Sequence, residues 1–336
     1  MTEQLTTARP PNWASRLFET PLAPVILDER GVLVWTAAGD KSTAAISEQF
    51  RSDAGTYHRK YAATTHFLAL FEQAFAATEI SIPDHPRILD FGSGSGANSI
   101  LPCQKLFPEA QFIATDLSPE LLAMLAHQLR CNDSQKDVLC VVMDAMSNHV
   151  AKAAFDLVTG TAILHHLDRP LDGLRAASEA LKPGGHAIFF EPFNGWAIMR
   201  LAYERILAEA ELRKEALDVV VTDVMRAMIT DIAMRSLPQP DPVKLAILDD
   251  KWLFSRTRME KMARSAGFAS VQFVPHNDHP TLYRDAALVH LRLATGDDNP
   301  KLPEWVDAIL ANFDDALTLQ AKRELMLEGT VVLSKL

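Results

Sequence analysis

From Arg87 onward the apolar positions change period repeatedly: short continuous apolar runs alternate with stretches in which apolar residues recur every three or four positions. The spacing predicts strands at 87–91, 111–115, 138–143, 155–159 and 186–191, and helices at 97–107, 119–130, 147–153 and 170–181. Strands alternating with helices in this way give a doubly wound α/β fold around a parallel sheet. Upstream, residues 1–20 read as a loose polar arm. Val25–Leu27 and Val32–Trp35 flank Asp28-Glu29-Arg30-Gly31 as a hairpin, and 46–75 is helical. Downstream, helical runs at 196–221 and 223–235 stop at Pro238, Pro240 and Pro242. A helix ending at Ala266, a strand at 270–275, helical runs at 283–294 and 303–325, and a last strand at 329–333 complete the chain. The expected organisation is an N-terminal extension (1–80), a core (81–194), a helical insertion over the acceptor side (195–250) and a C-terminal return to the sheet (251–336).

Right-handed crossovers collect the loops that follow the parallel strands along one edge, where such sheets bind ligands. The first loop carries Asp90, Gly92, Gly94 and Gly96. Alternate glycines leave no side chain to keep a ligand off the backbone, and the helix that follows aims its N-terminus at a polar or anionic group. The second loop carries Asp116, which lies 24 residues after Gly92, the spacing of a carboxylate that accepts from ribose hydroxyls. Ser118 and Pro119 behind it make a helix start. Asp144 ends a third strand, where it can accept from an adenine amino group. Each acid alone reads equally as a loop cap; three at successive strand ends make a nucleotide-type site.

Composition narrows the partners. With 336 residues, 48% of them apolar, the chain buries a full core. A net charge of −10 without a Lys/Arg cluster speaks against nucleic acid as partner. Cys103, Cys131 and Cys140 show no metal-ligand spacing and read as core thiols in a reducing compartment, and no histidine spacing builds a metal site. Met1–Pro11 has no signal pattern and no apolar run is long enough for a bilayer, so the expectation is a cytoplasmic protein without membrane contact.

The segments Ile88-Leu89-Asp90-Phe91-Gly92-Ser93-Gly94-Ser95-Gly96, Thr115-Asp116-Leu117-Ser118, Met143-Asp144-Ala145, Leu164-His165-His166-Leu167 and Leu181-Lys182-Pro183-Gly184-Gly185 together resemble class I S-adenosylmethionine-dependent methyltransferases, in their small-molecule branch that includes quinone and natural-product enzymes. The resemblance covers about residues 50–191. It implies a seven-stranded Rossmann-like sheet with an antiparallel last strand and S-adenosyl-L-methionine as cofactor. It places Asp90 and the glycine turn around the methionine part, Asp116 on the ribose, Leu117 over the adenine, Asp144 and Ala145 at the adenine edge, and Gly160 with 161–164 on the sulfonium side. Gly92, Gly94 and Ala97 also satisfy the dinucleotide fingerprint, so an NAD(P)-dependent oxidoreductase stands as an alternative, as does a non-catalytic cofactor-binding module.

Methyl transfer needs nucleophile, methyl and sulfur held in line away from water, plus a base when the nucleophile is a hydroxyl. His165 is the candidate base by its match to a Leu-His-Asp-Trp segment of O-methyltransferases, with His166 where those have the acid; a histidine that only packs is the other reading. Glu191 is a second base or an orienting group. Phe193 and Trp196 at the same strand end, and Tyr57 and Tyr61 on the 46–75 helix, are candidate walls for a small, partly apolar acceptor, the tyrosines reading equally as a core-facing stripe. Met199, Met225, Met228 and Met234 are either adaptable wall or plain core, and the insertion also offers a homodimer surface.

Overall fold

The computed structural model describes residues 8–37, 54–132, 137–147, 149–237, 243, 248–277 and 279–336, and the side chains of Tyr57, Lys60 and Tyr61 lie outside the described residues. Its chain divides into two compact units. The first comprises residues 1–191, 257–274 and 330–336, and the second comprises 192–256 and 275–329.

The first unit is built on a nine-stranded sheet in the order β1-β2-β5-β4-β3-β6-β7-β9-β8. The strands are β1 (Leu22–Asp28), β2 (Gly31–Ala37), β3 (Arg87–Phe91), β4 (Gln111–Asp116), β5 (Val138–Val142), β6 (Phe155–Thr161), β7 (Leu181–Pro192), β8 (Ser270–Pro275) and β9 (Glu328–Ser334). β3 to β7 pair in parallel. β9 runs against β7: the Gly184 N–H donates to Lys335 O and the Phe193 N–H to Leu327 O, so one strand's numbers rise as the other's fall. The same holds for β8, where Ala269 donates to Ser334 O and His276 to Glu328 O. The sheet thus has the expected antiparallel closing strand, and it exceeds the expected seven strands because the hairpin does not stand apart. β2 joins β5 in parallel, with Trp35 opposite Val141, and β1 becomes the outer strand, its pairing shifted between Pro24 and Ile26.

The central strands are apolar on both faces because helices cover both. Ile88, Phe112, Cys140 and Leu157 pack with Leu122, Leu125 and Leu129 of helix Pro119–Cys131 and with Phe71 of helix Thr64–Thr78. Ser118 caps the former helix by accepting from the Leu121 N–H, with Pro119 at its first position as expected. Burial pushes the Cys140 thiol up to about 12 and the Cys103 thiol upward as well, whereas Cys131, expected in the core, is exposed at the helix end.

Three further expectations are corrected. The helix at 147–153 is absent among its described residues, since Val150 bridges Phe18 in antiparallel fashion. The run at 303–325 breaks into Glu304–Asp315 and Leu319–Glu324, the second capped by the Thr318 hydroxyl. The run at 46–75 is helical as Ala54–Tyr61 and Thr64–Thr78, and its part before Ala54 lies outside the described residues.

The second unit is helical. Met199, Tyr203 and Ile206 of Trp196–Arg213, Met225 of Val219–Arg235, Leu282, Tyr283 and Leu291 of Leu282–Thr295, and Val306 and Leu310 form its core. Met199 and Met225 are therefore core residues of this unit. One polar post runs through it. Asp314 accepts from the Tyr283 and Arg284 N–H groups at 3.0 and 2.9 Å, capping helix Leu282–Thr295, and pairs with Lys322 at 3.0 Å; Lys322 also donates to Pro280 O. Among the described residues no helix is long and apolar enough to cross a membrane.

Removing one member of a buried ion pair strands the other charge. Lys322→Met is expected to cost about 3–5 kcal/mol, measured as a shift of the urea midpoint; a loss below about 1 kcal/mol would show that Asp314 needs no cation.

Candidate active site

The parallel register sets four strand ends side by side. Phe91 lies opposite Thr115 and Gly160, and Asp116 lies opposite Val142, so the turns after β3, β4, β5 and β6 share one edge. The turn after β3 is fastened at its root. Asp90, wholly buried, accepts from the hydroxyls of Ser93 and Ser99 on one oxygen and of Thr159 on the other, each at 2.6 Å. Read from sequence as a group around the cofactor's methionine part, its carboxylate is instead turned inward, clamping both ends of the glycine turn to β6. Burial outweighs the three hydroxyls and pushes this carboxyl up to about 6.

Of Gly92, Gly94, Gly96 and Gly160, only Gly94 faces open space. A Cβ on Gly92 would stand 2.7 Å from Ile163 Cδ1, one on Gly160 2.6 Å from Ile163 Cγ2, and one on Gly96 2.3 Å from Leu125 Cδ1; one on Gly94 would meet nothing nearer than 4.0 Å. Gly92, Gly96 and Gly160 therefore make room for packing. Gly94, at φ +52°, bares the backbone. Its N–H donates to Asp116 Oδ2 at 2.8 Å, while Asp116 Oδ1 accepts from the Ser118 N–H at 2.8 Å. Enclosure by the turn raises the Asp116 carboxyl above its ordinary value despite these amides. Leu117 beside it is half-buried. Asp144 accepts from the Met146 N–H at 2.8 Å, forming the turn that holds the buried Ala145.

After β6 the chain passes through Ala162 in the left-handed region (φ +59°) into a short 3₁₀ turn, Leu164–His166. Glu191, at the end of β7 and 2% exposed, gathers the start of that turn. It accepts from the N–H groups of Ile163, Leu164 and His165 at 3.2, 2.7 and 3.1 Å, and its Oε2 lies 2.7 Å from His165 Nδ1. A carboxylate there accepts from Nδ1–H and leaves the ring's lone pair on Nε2. The His166 ring lies 4.1 Å from that of His165, tilted by 40°.

The candidate walls fare differently. Tyr57 and Tyr61 have side chains outside the described residues. Phe193 is 1% exposed and its backbone bridges Phe254, while Trp196 packs edge-on against His290 within the helical unit. Sequence reasoning gave no role to Ser93, Ser99 and Thr159, and placed His58 only on a helix that could cover a ligand; its Nδ1 lies 2.7 Å from Ser95 Oγ at the glycine turn. The serine set between Gly92 and Gly94 was the available signal for the first.

A carboxyl whose pKa rises from 3.8 unfolded to about 6 folded binds its proton more tightly in the native state. It adds no penalty below pH 3.8, and its stability contribution is lost as pH rises through that window, by about 3 kcal/mol in all. The stability difference between Asp90→Asn and the parent protein should therefore move in favour of the variant from pH 4 to pH 6.5. A difference constant with pH, measured by urea denaturation, would show that folding leaves the Asp90 pKa unshifted.

Residues 89–189 match the family model described as methyltransferase domain. The chain is 30% identical over 125 residues to the ubiquinone biosynthesis O-methyltransferase of Idiomarina loihiensis, covering 36% of this chain and 49% of that protein. It is 33% identical over 109 residues to the tRNA U34 carboxymethyltransferase of Saccharophagus degradans, covering 31% of each. These matches span half or less of the curated relatives' length. Among solved structures, Haemonchus contortus phosphoethanolamine N-methyltransferase 2 in complex with S-adenosyl-L-methionine superposes with a TM-score of 0.50 at 15% identity, over 84% of this chain and 56% of that one, a likeness of fold. Residues 89–189, from β3 into β7, are thus those of a methyltransferase domain, and the sheet with its antiparallel closing strand has the fold of the class I S-adenosylmethionine-dependent methyltransferases.

Proposed function

We propose that this protein transfers a methyl group from S-adenosylmethionine to a hydroxyl of a small, partly apolar acceptor, with His165 as general base. The observation that carries the reading is the His165–Glu191 pair, a buried imidazole with its tautomer set by a carboxylate, on the same sheet edge as the glycine turn and Asp116. The open face of Gly94 and the half-buried Asp116 carboxylate fit a cofactor with a ribose and an amino-acid end. In this reading Gly94 and Asp116 hold the cofactor directly, Leu117, Asp144 and Ala145 meet its base, and Asp90, Gly92, Gly96 and Gly160 shape the walls. Bound S-adenosylmethionine supplies a methyl group on a sulfonium.

The protein's share of the chemistry is alignment, exclusion of water and proton removal. The acceptor hydroxyl gives its proton to His165 Nε2, and Glu191 stabilises the imidazolium by its bond to Nδ1. Similarity to the Idiomarina ubiquinone biosynthesis O-methyltransferase supports an oxygen acceptor. The net charge of −10 weighs against a polyanionic acceptor such as tRNA. The dehydrogenase reading loses ground because an antiparallel strand closes the sheet, unlike the parallel dinucleotide fold.

Calorimetric titration should show binding of S-adenosylmethionine and S-adenosylhomocysteine and none of NADH. Asp116→Ala should weaken both by about 2–3 kcal/mol through the loss of charge-assisted hydrogen bonds; unchanged affinity would remove the ribose assignment. His165→Ala should lower kcat about a hundredfold in an assay of S-adenosylhomocysteine release over a panel of hydroxylated acceptors, with cofactor affinity kept. A variant at full rate rejects the base.

A further inference from the structure

The hairpin joins the sheet of the first unit over a short length only. β2 and β5 pair in parallel with Trp35 opposite Val141 and Thr36 opposite Val142. Extended toward the start of both strands, that register would set Leu33 opposite Leu139 and Val32 opposite Val138. Among the described residues the ladder does not continue there. The strands part below Trp35, and these four residues instead line a cavity of about 380 Å³. Leu129 of helix Pro119–Cys131 and Cys140 add to its apolar lining. A strand that had merely frayed would give its side chains to water, yet Leu33 and Leu139 border the cavity at 5% and 4% exposure, so the gap is walled.

Two arginines also border it. Arg130 donates to Asp28 Oδ1 at 2.6 Å and to Val32 O at 3.0 Å, which answers its charge and fixes its place. Arg9 is exposed and has no carboxylate partner among the described residues. The cavity is therefore apolar in depth, with one uncompensated positive charge at its opening.

We propose that this gap is a binding site for a small apolar monocarboxylate, its chain lying between the parted strands and its carboxylate on Arg9. The volume falls toward the lower end of the roughly 300–1,000 Å³ of ligand pockets, which combine an apolar lining with a few polar groups that fix orientation. A guanidinium at the mouth supplies such a group for a carboxylate. The site is remote from the edge that carries the glycine turn. Val138 begins β5 and Asp144 follows its other end, six residues on and roughly 20 Å away at the rise of an extended strand. The inference is thus independent of the cofactor reading.

Titration calorimetry with octanoate, octanol and octylamine tests it. Octanoate should bind once per chain and about five- to tenfold more tightly than octanol, the factor expected of a hydrogen-bonded charge pair open to water. Octylamine, cationic at neutral pH, should bind most weakly of the three. Arg9→Gln should remove the difference between octanoate and octanol while leaving octanol as it was. Val32→Trp, at a half-buried position on the cavity, should abolish binding of both. Saturating S-adenosylhomocysteine should leave the octanoate affinity unchanged. A parent protein that takes up no octanoate, or an octanoate affinity indifferent to both substitutions, overturns the site. Displacement of octanoate by S-adenosylhomocysteine overturns it as well, since the acid would then occupy the opposite edge of the sheet.

Discussion

The site depends on a carboxylate that no ligand is placed to touch. Asp90 is the point at which three pieces of chain are tied together: the start of the glycine turn through Ser93, its exit into helix Ile100–Leu106 through Ser99, and the neighbouring strand β6 through Thr159. A glycine-rich turn has little side-chain packing to define it, and its backbone entropy is the highest of any residue type. Three hydroxyls converging on one buried acid supply the definition that side chains cannot. The cost is a carboxyl held in surroundings that oppose its charge, and that cost is offset by a turn fixed in one shape before any ligand arrives.

A second buried acid does different work a few residues along the same edge. Glu191 caps a 3₁₀ turn with its two oxygens and engages one ring nitrogen of His165, so that the backbone geometry of the loop and the tautomer of the imidazole are set by a single group. The two carboxylates differ in their donors. Rotatable hydroxyls surround Asp90 and accommodate either protonation state, whereas Glu191 faces backbone amides that can only donate. The left-handed Ala162 just before that turn shows the loop being held against its local preference.

Much of this was legible in the chain. The parallel core could be read because its strands are continuously apolar and its helices carry their start signals, as at Ser118-Pro119 and Pro170. The positions of Asp116, Asp144 and His165 followed from the loops' place in a doubly wound sheet. What escaped was whatever depends on which side of a turn a group faces. Sequence cannot show that Gly92 and Gly160 are both vacated for one isoleucine while Gly94 in the turn stays open, or that Asp90 looks inward and Phe193 is buried. The hairpin was read correctly as a local object, but its pairing with β5 is a long-range contact for which Val32–Trp35 carries no local mark.

That pairing changes what the sheet offers to the outside. Without the hairpin the rim would be β5, a fully apolar and regular strand of the kind onto which a foreign strand readily adds. With it the rim is β1, where Pro24 has no N–H to give and the ladder slips one step toward Ile26. An incoming strand would meet an interrupted row of donors there, so the N-terminal hairpin blunts this edge of the sheet against strand addition.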